Sequence, residues 1–416
     1  MKLGRWKVLG LAGVLALGYV AQSEAVQIKV DEDTFANFGL KMKVWYQNLD
    51  ERSKAKNGTS GDWRQNKFDV TDARIYFTGQ VNKLVQFYGQ FDQDKSNKDS
   101  TSLDEAGINF AFAKEFQVLA GKIRKSFTRT DISRSFTQLI PSSCFYDPQK
   151  DAFDKNTQII NLFTYDEKKD YGLMVHGDLA GGMFTYRIGV YNNEQRSKKY
   201  KDVEWNARVE FQPLMLGFKP ESAATITSKV LDTYLGEKDI LTIGLGYMSA
   251  KKAMTYGGNI TKDKTVDGWT ADLTFEKKFG NLVPNFQIGY VSLSDTHVDP
   301  VSNKRKDSDA WYVQGQLLFD QVVGFGKPAL AVRYDTTTND ERINVDGTAD
   351  DAKLERWGAA LNYYIKGHDA RVSLGFDYAK YKDGSKDFLK YVLPKKTGIK
   401  YEDSLTDWYL FLQMQF

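Results

Sequence analysis

The chain has 416 residues, of which 27% are charged, 41% hydrophobic and 14% aromatic. A formal net charge of +3 gives no electrostatic case for nucleic acid or for a bulk acidic partner. Cys144 is the sole cysteine, which excludes an intrachain disulfide, and the three histidines are too far apart in the chain for metal-ligand spacing.

The N-terminus reads as a secretory signal. Lys2, Arg5 and Lys7 form a positive region, Val8 to Ala21 is an uncharged apolar run, and Ser23-Glu24-Ala25 offers small residues for cleavage after Ala25. The run is short for a spanning helix, and no later stretch reaches the ~18 uncharged apolar residues that one needs. Residues 1–25 are therefore expected to be a signal peptide and residues 26–416 a single domain. Losing Lys2, Arg5, Lys7 and Glu24 takes the net charge from +3 to +1. The exported chain is either soluble or crosses a membrane as strands.

Strand-like alternation then recurs to the end of the chain. In Asn37 to Tyr46, Phe38, Leu40, Met42 and Val44 share one face, and Lys41, Lys43 and Trp45 the other. Phe68 to Thr78, Leu84 to Asp92, Glu105 to Ala113 and Gln117 to Arg124 repeat the pattern. After a gap it resumes in Tyr171 to Leu179, Met183 to Tyr191 and Val203 to Phe211. Leu241 to Met248, Trp269 to Glu276, Asn285 to Val291, Trp311 to Phe319 and Ala329 to Asp335 follow. Arg356 to Ile365, Arg371 to Tyr378 and Asp407 to Phe416 complete about sixteen strands.

The last strand sets Trp408, Leu410, Leu412, Met414 and Phe416 against Gln413 and Gln415. It looks like the closing strand of an outer-membrane β-barrel. In that family the aromatic end, here Phe416, resembles the signal read by the barrel-assembly machinery. Connections alternate in length, with short links such as Lys114-Glu115 and Gly367 to Ala370, and long charged ones such as Asn48 to Asn66, Asp295 to Ser308 and Thr336 to Lys353. Short periplasmic turns and long outer loops produce that rhythm. A soluble β-sandwich would bury its apolar faces against a second sheet and would lack it. Gln212 to Asp239 breaks the rhythm, because a short turn is due there and Pro213 and Pro220 exclude a strand. The expected fold is all-β: a transmembrane antiparallel barrel of about sixteen strands.

Several stretches resemble the phosphate-selective porin O/P family. They are Phe38-Gly39-Leu40-Lys41-Met42-Lys43-Val44-Trp45-Tyr46-Gln47, Ala73-Arg74-Ile75-Tyr76-Phe77-Thr78-Gly79 and Gly121-Lys122-Ile123-Arg124-Lys125-Ser126-Phe127. Tyr171 to Gly177, Tyr186 to Asn192, Ala207 to Pro213, Trp311 to Gln314, Arg333 to Asp335 and Leu361 to Tyr364 extend the likeness. The resemblance implies a water-filled trimeric pore in outer-membrane lipid, constricted by its third loop and passing small polar or anionic solutes.

Lys125 to Asp170, between strands five and six, is the third long loop and the candidate constriction. Lys122 and Arg124 lie at its root and Lys125, Arg129 and Arg134 follow, with only Asp131 opposed between Arg124 and Arg134, and such a cluster would concentrate anions. Alternation sends Lys41, Lys43, Arg74, Lys122, Arg187, Arg208 and Arg333 inward, but also Asp72, Glu105, Glu210, Asp272, Asp335 and Asp377, so the wall as a whole argues for polarity and not for sign. No Gly-rich phosphate loop or Gly-x-Ser-x-Gly elbow is present, and no catalytic residue, metal or cofactor is expected. The readings that remain beside an anion porin are a non-selective porin or one for other solutes, a surface adhesin and an outer-membrane hydrolase.

Overall fold

The computed structural model describes residues 26–54, 60–93, 101–141, 145–147, 152–154, 169–193, 202–221, 230–256, 259–298, 305–343, 349–383, 400–401 and 404–416. The expected signal peptide, residues 1–25, and Cys144 lie outside them.

Strands with one apolar and one polar face leave exposed edges unless the sheet closes on itself. Here it closes. The wall consists of β1 (Phe35–Lys54), β2 (Ser60–Gln80), β3 (Val85–Gln93), β4 (Thr101–Ala111), β5 (Gln117–Arg124), β6 (Lys169–Leu179), β7 (Phe184–Tyr191) and β8 (Glu204–Phe211). It continues with β9 (Ile240–Tyr256), β10 (Asn259–Glu276), β11 (Leu282–Val298), β12 (Arg305–Phe319), β13 (Lys327–Ile343), β14 (Ala349–Lys366), β15 (Ala370–Asp383) and β16 (Ser404–Gln415). Each pairs antiparallel with the next, and β16 pairs with both β15 and β1. At the seam, Leu40 and Phe416 exchange backbone hydrogen bonds of 3.1 Å in both directions. Below them, where β16 has ended, the short strand Val26–Lys29 pairs with Phe35 to Phe38.

The two faces differ as the alternation requires. Ile188, Leu245, Leu330, Val332, Leu361 and Leu374 point outward, each at least 50% exposed. Asn109, Glu204, Glu210, Thr274, Arg356 and Ser373 point inward and are buried. Near the long-loop end the outer face carries an aromatic belt. Its pairs are Trp269–Tyr290 at 5.1 Å, Trp311–Tyr334 at 5.0 Å, Tyr334–Trp357 at 4.3 Å and Phe376–Trp408 at 5.0 Å. Toward the short-turn end phenylalanines take over, as in Phe184–Phe211 at 5.3 Å. An apolar band between two aromatic girdles is the surface of a barrel standing in lipid.

Several strands run well past the expected segments. β1 and β2 have 20 and 21 residues, against the roughly 9–11 that cross a bilayer. Much of Asn48 to Asn66, read as loop, is a ladder reaching Lys54 opposite Ser60. The same holds at Val298 opposite Arg305 and Ile343 opposite Ala349. Beyond the lipid, water bathes both faces of a ribbon, so the apolar alternation that marks a strand disappears while the backbone pairing continues.

The barrel is not empty. Residues 125–141 fold into it from the long-loop mouth, and residues 212–221 and 230–239 enter from the short-turn mouth. The second entry accounts for the connection that was too long for a turn. Phe127 packs on Met248, Ala250, Val266, Val291, Leu293 and Ala310 of the wall. Across the lumen, Leu139 and Ile140 pack on Trp45, Ala331, Ala360, Tyr409 and Phe411. Burial of Phe127, Leu139 and Ile140 contributes roughly 1.5–3 kcal/mol each. Gly246 lets the loop lie close to the wall, because a Cβ there would stand 2.3 Å from the Phe127 carbonyl oxygen.

Candidate functional site

The inward loop begins with a one-turn helix, α1 (Arg129–Ile132). Thr128 caps it: its Oγ1 accepts from the Asp131 backbone N–H at 3.1 Å, and Asp131 Oδ2 accepts from the Thr128 N–H at 2.9 Å. Irregular backbone inside a barrel needs partners for its carbonyls. The wall supplies them. Gln413 Nε2 donates to the Phe136 carbonyl at 2.8 Å, Arg371 to that of Gln138 at 2.6 Å, and Asn362 Nδ2 to that of Leu139 at 2.7 Å.

The periplasmic segment is held in the same way. Asn285 and Gln287 donate to the Asp232 carbonyl. Thr233 Oγ1 and the backbone N–H groups of Tyr234 and Gly236 donate to Glu276. The two inward segments meet where Arg129 donates to both oxygens of Glu221, at 3.0 and 2.8 Å, and where the Asp232 N–H donates to Thr137 Oγ1 at 3.2 Å. Burial would raise the Glu221 carboxyl, but Arg129 overrides it and holds the group below the ordinary carboxylate range.

These anchors lie mainly on β9 to β16, which leaves open space against β1 to β7. There a cavity of about 270 Å³ is lined by Lys41, Arg74, Arg124, Arg134 and Arg187, with Glu105 as its only lining carboxylate among the described residues. Tyr76, Tyr88, Leu119, Ile132, Phe136 and Met174 complete much of its wall. Glu105 owes its position to a bulge in β4: Gln90 faces Glu105 while Phe91 faces Leu103, leaving Asp104 as the extra residue.

The residues singled out in the sequence divide sharply. Lys122 sits opposite Tyr171 on the outer face and donates to the Leu103 carbonyl at 2.8 Å, so it does not reach the passage. Its sequence parity misleads because the inward positions of β5 are taken by Leu119 and Ile123, which join Tyr88, Met174 and Tyr191 in an apolar cluster inside the barrel. Lys125 is paired with Glu204 at 2.8 Å, and Arg129 with Glu221. Arg124 lies 3.3 Å from Glu105 and donates to the Ser133 carbonyl at 2.8 Å. Arg134 is turned into the cavity, and burial followed by Arg124 lowers its pKa without discharging it near neutrality.

On the wall, Lys43 lies 3.4 Å from Asp72 and donates to the Ser135 carbonyl. Arg74 is surrounded by Asp72, Asp92 and Asp104. Arg187 pairs with Glu210 at 2.6 Å, Arg208 with Asp272 at 2.8 Å and Arg333 with Asp377 at 2.9 Å. Lys41 differs. Its ammonium stands 4.5 Å from the Tyr76 ring centre and 5.7 Å from that of Phe136, and it has no ion pair among the described residues.

The sequence pattern of the phosphate-selective porin O and P family matches residues 37–388. The chain belongs to that family. This porin is 23% identical over 397 residues to an uncharacterized protein of Aquifex aeolicus (strain VF5), covering 89% of the chain and 88% of that protein. Its fold resembles the outer membrane channel DcaP of Acinetobacter baumannii, at a TM-score of 0.55 and 12% identity over 94% of this chain and 99% of the other. It also resembles the trimer form of OmpT, an outer membrane protein of Vibrio cholerae, at a TM-score of 0.50 and 14% identity over 92% of this chain and 100% of the other. The porin is thus a channel-forming barrel of the bacterial outer membrane.

Tyr76, Tyr88 and Glu221 were not among the sequence candidates. Glu221 had a signal in the unusual length of its segment and the prolines at 213 and 220. Tyr88 had none, since an inward tyrosine is ordinary on a barrel strand. Among the described residues no group of three or more His, Cys, Asp or Glu could hold a metal ion.

Proposed function

We propose that this porin conducts small anions, phosphate among them, by passive diffusion, and that it selects them between residues 124–136 and the wall of β1 to β7. The observation that carries the reading is the lining of the passage: five cationic side chains and one carboxylate. Arg74 and Arg187 are paired with carboxylates that do not line the cavity, and Glu105, 3.3 Å from Arg124, is the one lining carboxylate set against Lys41, Arg124 and Arg134, so these three leave a net positive potential. In a narrow, low-dielectric pore such a group raises anion concentration and repels cations.

A homotrimer is part of the proposal. The trimer form of the similarly folded Vibrio cholerae protein supports it. So does the outer surface of β3 to β5, which lacks the Trp and Tyr belt and presents Phe91, Ile108 and Phe110 instead. Apolar surface without interfacial anchors suits contact with another subunit.

The test is the zero-current potential of single channels across a salt gradient. The native channel should favour chloride over potassium. A Lys41→Glu, Arg124→Glu, Arg134→Glu variant should lose or reverse that preference. A cation-selective native channel, or a variant that keeps the native potential, would reject the reading.

A further inference from the structure

The passage is two-faced. One side presents Lys41, Arg124 and Arg134. Beside them stand Tyr88, Leu119, Phe136 and Met174, all buried and all lining the same cavity. A path meant only for a hydrated inorganic ion has no use for such apolar wall, which cannot replace lost hydration water.

Two donors in the cavity are conspicuous. The Lys41 ammonium has aromatic rings as neighbours and no acceptor among the described residues. Tyr88 is 7% exposed, its ring packs with Leu119 and Met174, and it lines the cavity. A hydroxyl donor and an ammonium that line the same cavity, both open to it, can be shared by one acceptor that arrives from outside.

We propose that the constriction is a saturable binding site for small organic carboxylates with an apolar body, such as an aromatic monocarboxylate. The carboxylate takes its charge-assisted bonds from Lys41 and the neighbouring guanidinium groups, and one from the Tyr88 hydroxyl. The apolar body lies against Leu119, Met174 and the Phe136 ring. The cavity volume, about 270 Å³, is below the ~300–1,000 Å³ of drug-sized pockets and suits a ligand of this class. The proposal rests on the anion reading and narrows it.

The experiment adds benzoate, acetate or inorganic phosphate, each separately, to one side of a bilayer containing the native porin in potassium chloride, and reads the concentration that half-blocks the current. Benzoate should block at a concentration at least about tenfold lower than acetate, since one well-buried apolar face is worth 1.4 kcal/mol or more. Tyr88→Phe should raise the benzoate value about threefold to tenfold, the loss of one hydrogen bond. Lys41→Gln should weaken both benzoate block and chloride preference.

A chloride-selective native channel that benzoate blocks no better than acetate, or that phosphate blocks better than benzoate, overturns this inference and leaves the anion reading standing. A Tyr88→Phe channel that is folded and chloride-selective, yet blocked by benzoate at the native concentration, also overturns it. A cation-selective native channel removes the anion reading itself.

Discussion

Arg129 enters the barrel on a loop from the outer surface, Glu221 enters on a segment from the periplasmic mouth, and the two side chains form a two-pronged ion pair of 3.0 and 2.8 Å inside it. Tyr234 donates to the same carboxylate at 2.8 Å, and Thr242 of β9 donates as well. The pair is fully buried, so each charge depends on the other. It joins two segments that share no strand and together occupy the side of the lumen opposite the passage.

Removing one partner should therefore loosen the fill without loosening the barrel. Glu221→Gln leaves Arg129 buried without its charge partner, a loss of about 3–5 kcal/mol. That loss falls on the docking of the inward segments, because neither residue belongs to the ladder of the wall. The expected result is a larger and noisier single-channel conductance with unchanged resistance of the barrel to heating in detergent. An unchanged conductance would show that the pair does not control the fill.

Acid should act on the same region through His368. It lies in the tight turn between β14 and β15, where its Nε2–H donates to the Thr233 carbonyl at 2.9 Å. Burial, reinforced by Arg371, lowers its pKa from 6.5 to about 4. A depressed histidine stabilises the docked arrangement fully above the ordinary value and loses that stabilisation as pH falls, here between about 6.5 and 4, with at most ~3 kcal/mol at stake. Open-channel noise should rise over that window and be restored at neutral pH. His368→Asn should flatten the response, while Glu276→Gln, which alters the carboxylate that accepts from Thr233, Tyr234 and Gly236, should preserve it. A response that survives in the asparagine variant would assign the effect elsewhere.

How much of this was legible depended on where the lipid is. Leu374 and Ser373 alternate because one meets hydrocarbon and the other the lumen, and such alternation gave the strand count, the closing role of β16 and the outer and inner faces. Lys54 and Ser60 sit in a ribbon beyond the lipid, where nothing enforces alternation, so that ladder read as loop. The lumen face carries less information still. Arg129, Arg134 and Lys125 are equally basic in sequence, but only the fold shows that Glu221 and Glu204 claim two of them. Lys122 failed for a local reason: inward apolar residues at Leu119 and Ile123 invert the usual rule inside a filled barrel. The segment holding Glu221 was visible as a length without a cause, and its cause lies in residues distant in the chain, such as Asn285, Gln287 and Glu276.

The assignment of faces can be checked on one strand. Leu374 points into lipid and is 54% exposed. Leu374→Arg should destabilise the barrel by roughly 2–4 kcal/mol if it lies near the midplane. Its neighbour Ser373 is buried on the lumen side and donates to Asn362 Oδ1 at 2.7 Å, and Asn362 in turn holds the Leu139 carbonyl. Ser373→Ala should leave barrel stability within about 1 kcal/mol, the worth of one hydrogen bond, and should show instead as altered conductance through the loop. Denaturant titration in lipid vesicles separates the two. A larger loss from the serine than from the leucine change would reverse the assigned parity.

The selectivity set by Lys41, Arg124 and Arg134 should also depend on salt in a way that identifies its origin. Fixed charges act through a potential that mobile ions screen, with a range near 10 Å at 0.1 M and 3 Å at 1 M. A preference that arises from these three groups should therefore be strong in dilute salt and weaken as the concentration rises. Wall cations such as Arg333 and Arg208 have carboxylates at 2.9 and 2.8 Å, so their fields are compensated at short range and contribute little at either concentration. Zero-current potentials measured at a fixed gradient ratio, about 0.1 M and again about 1 M, should show the chloride preference shrinking in the native channel. In the Lys41→Glu, Arg124→Glu, Arg134→Glu variant, cation preference should replace it in dilute salt and shrink likewise. Preference for chloride that is independent of salt would place selection in steric fit or direct coordination and not in the potential of these side chains.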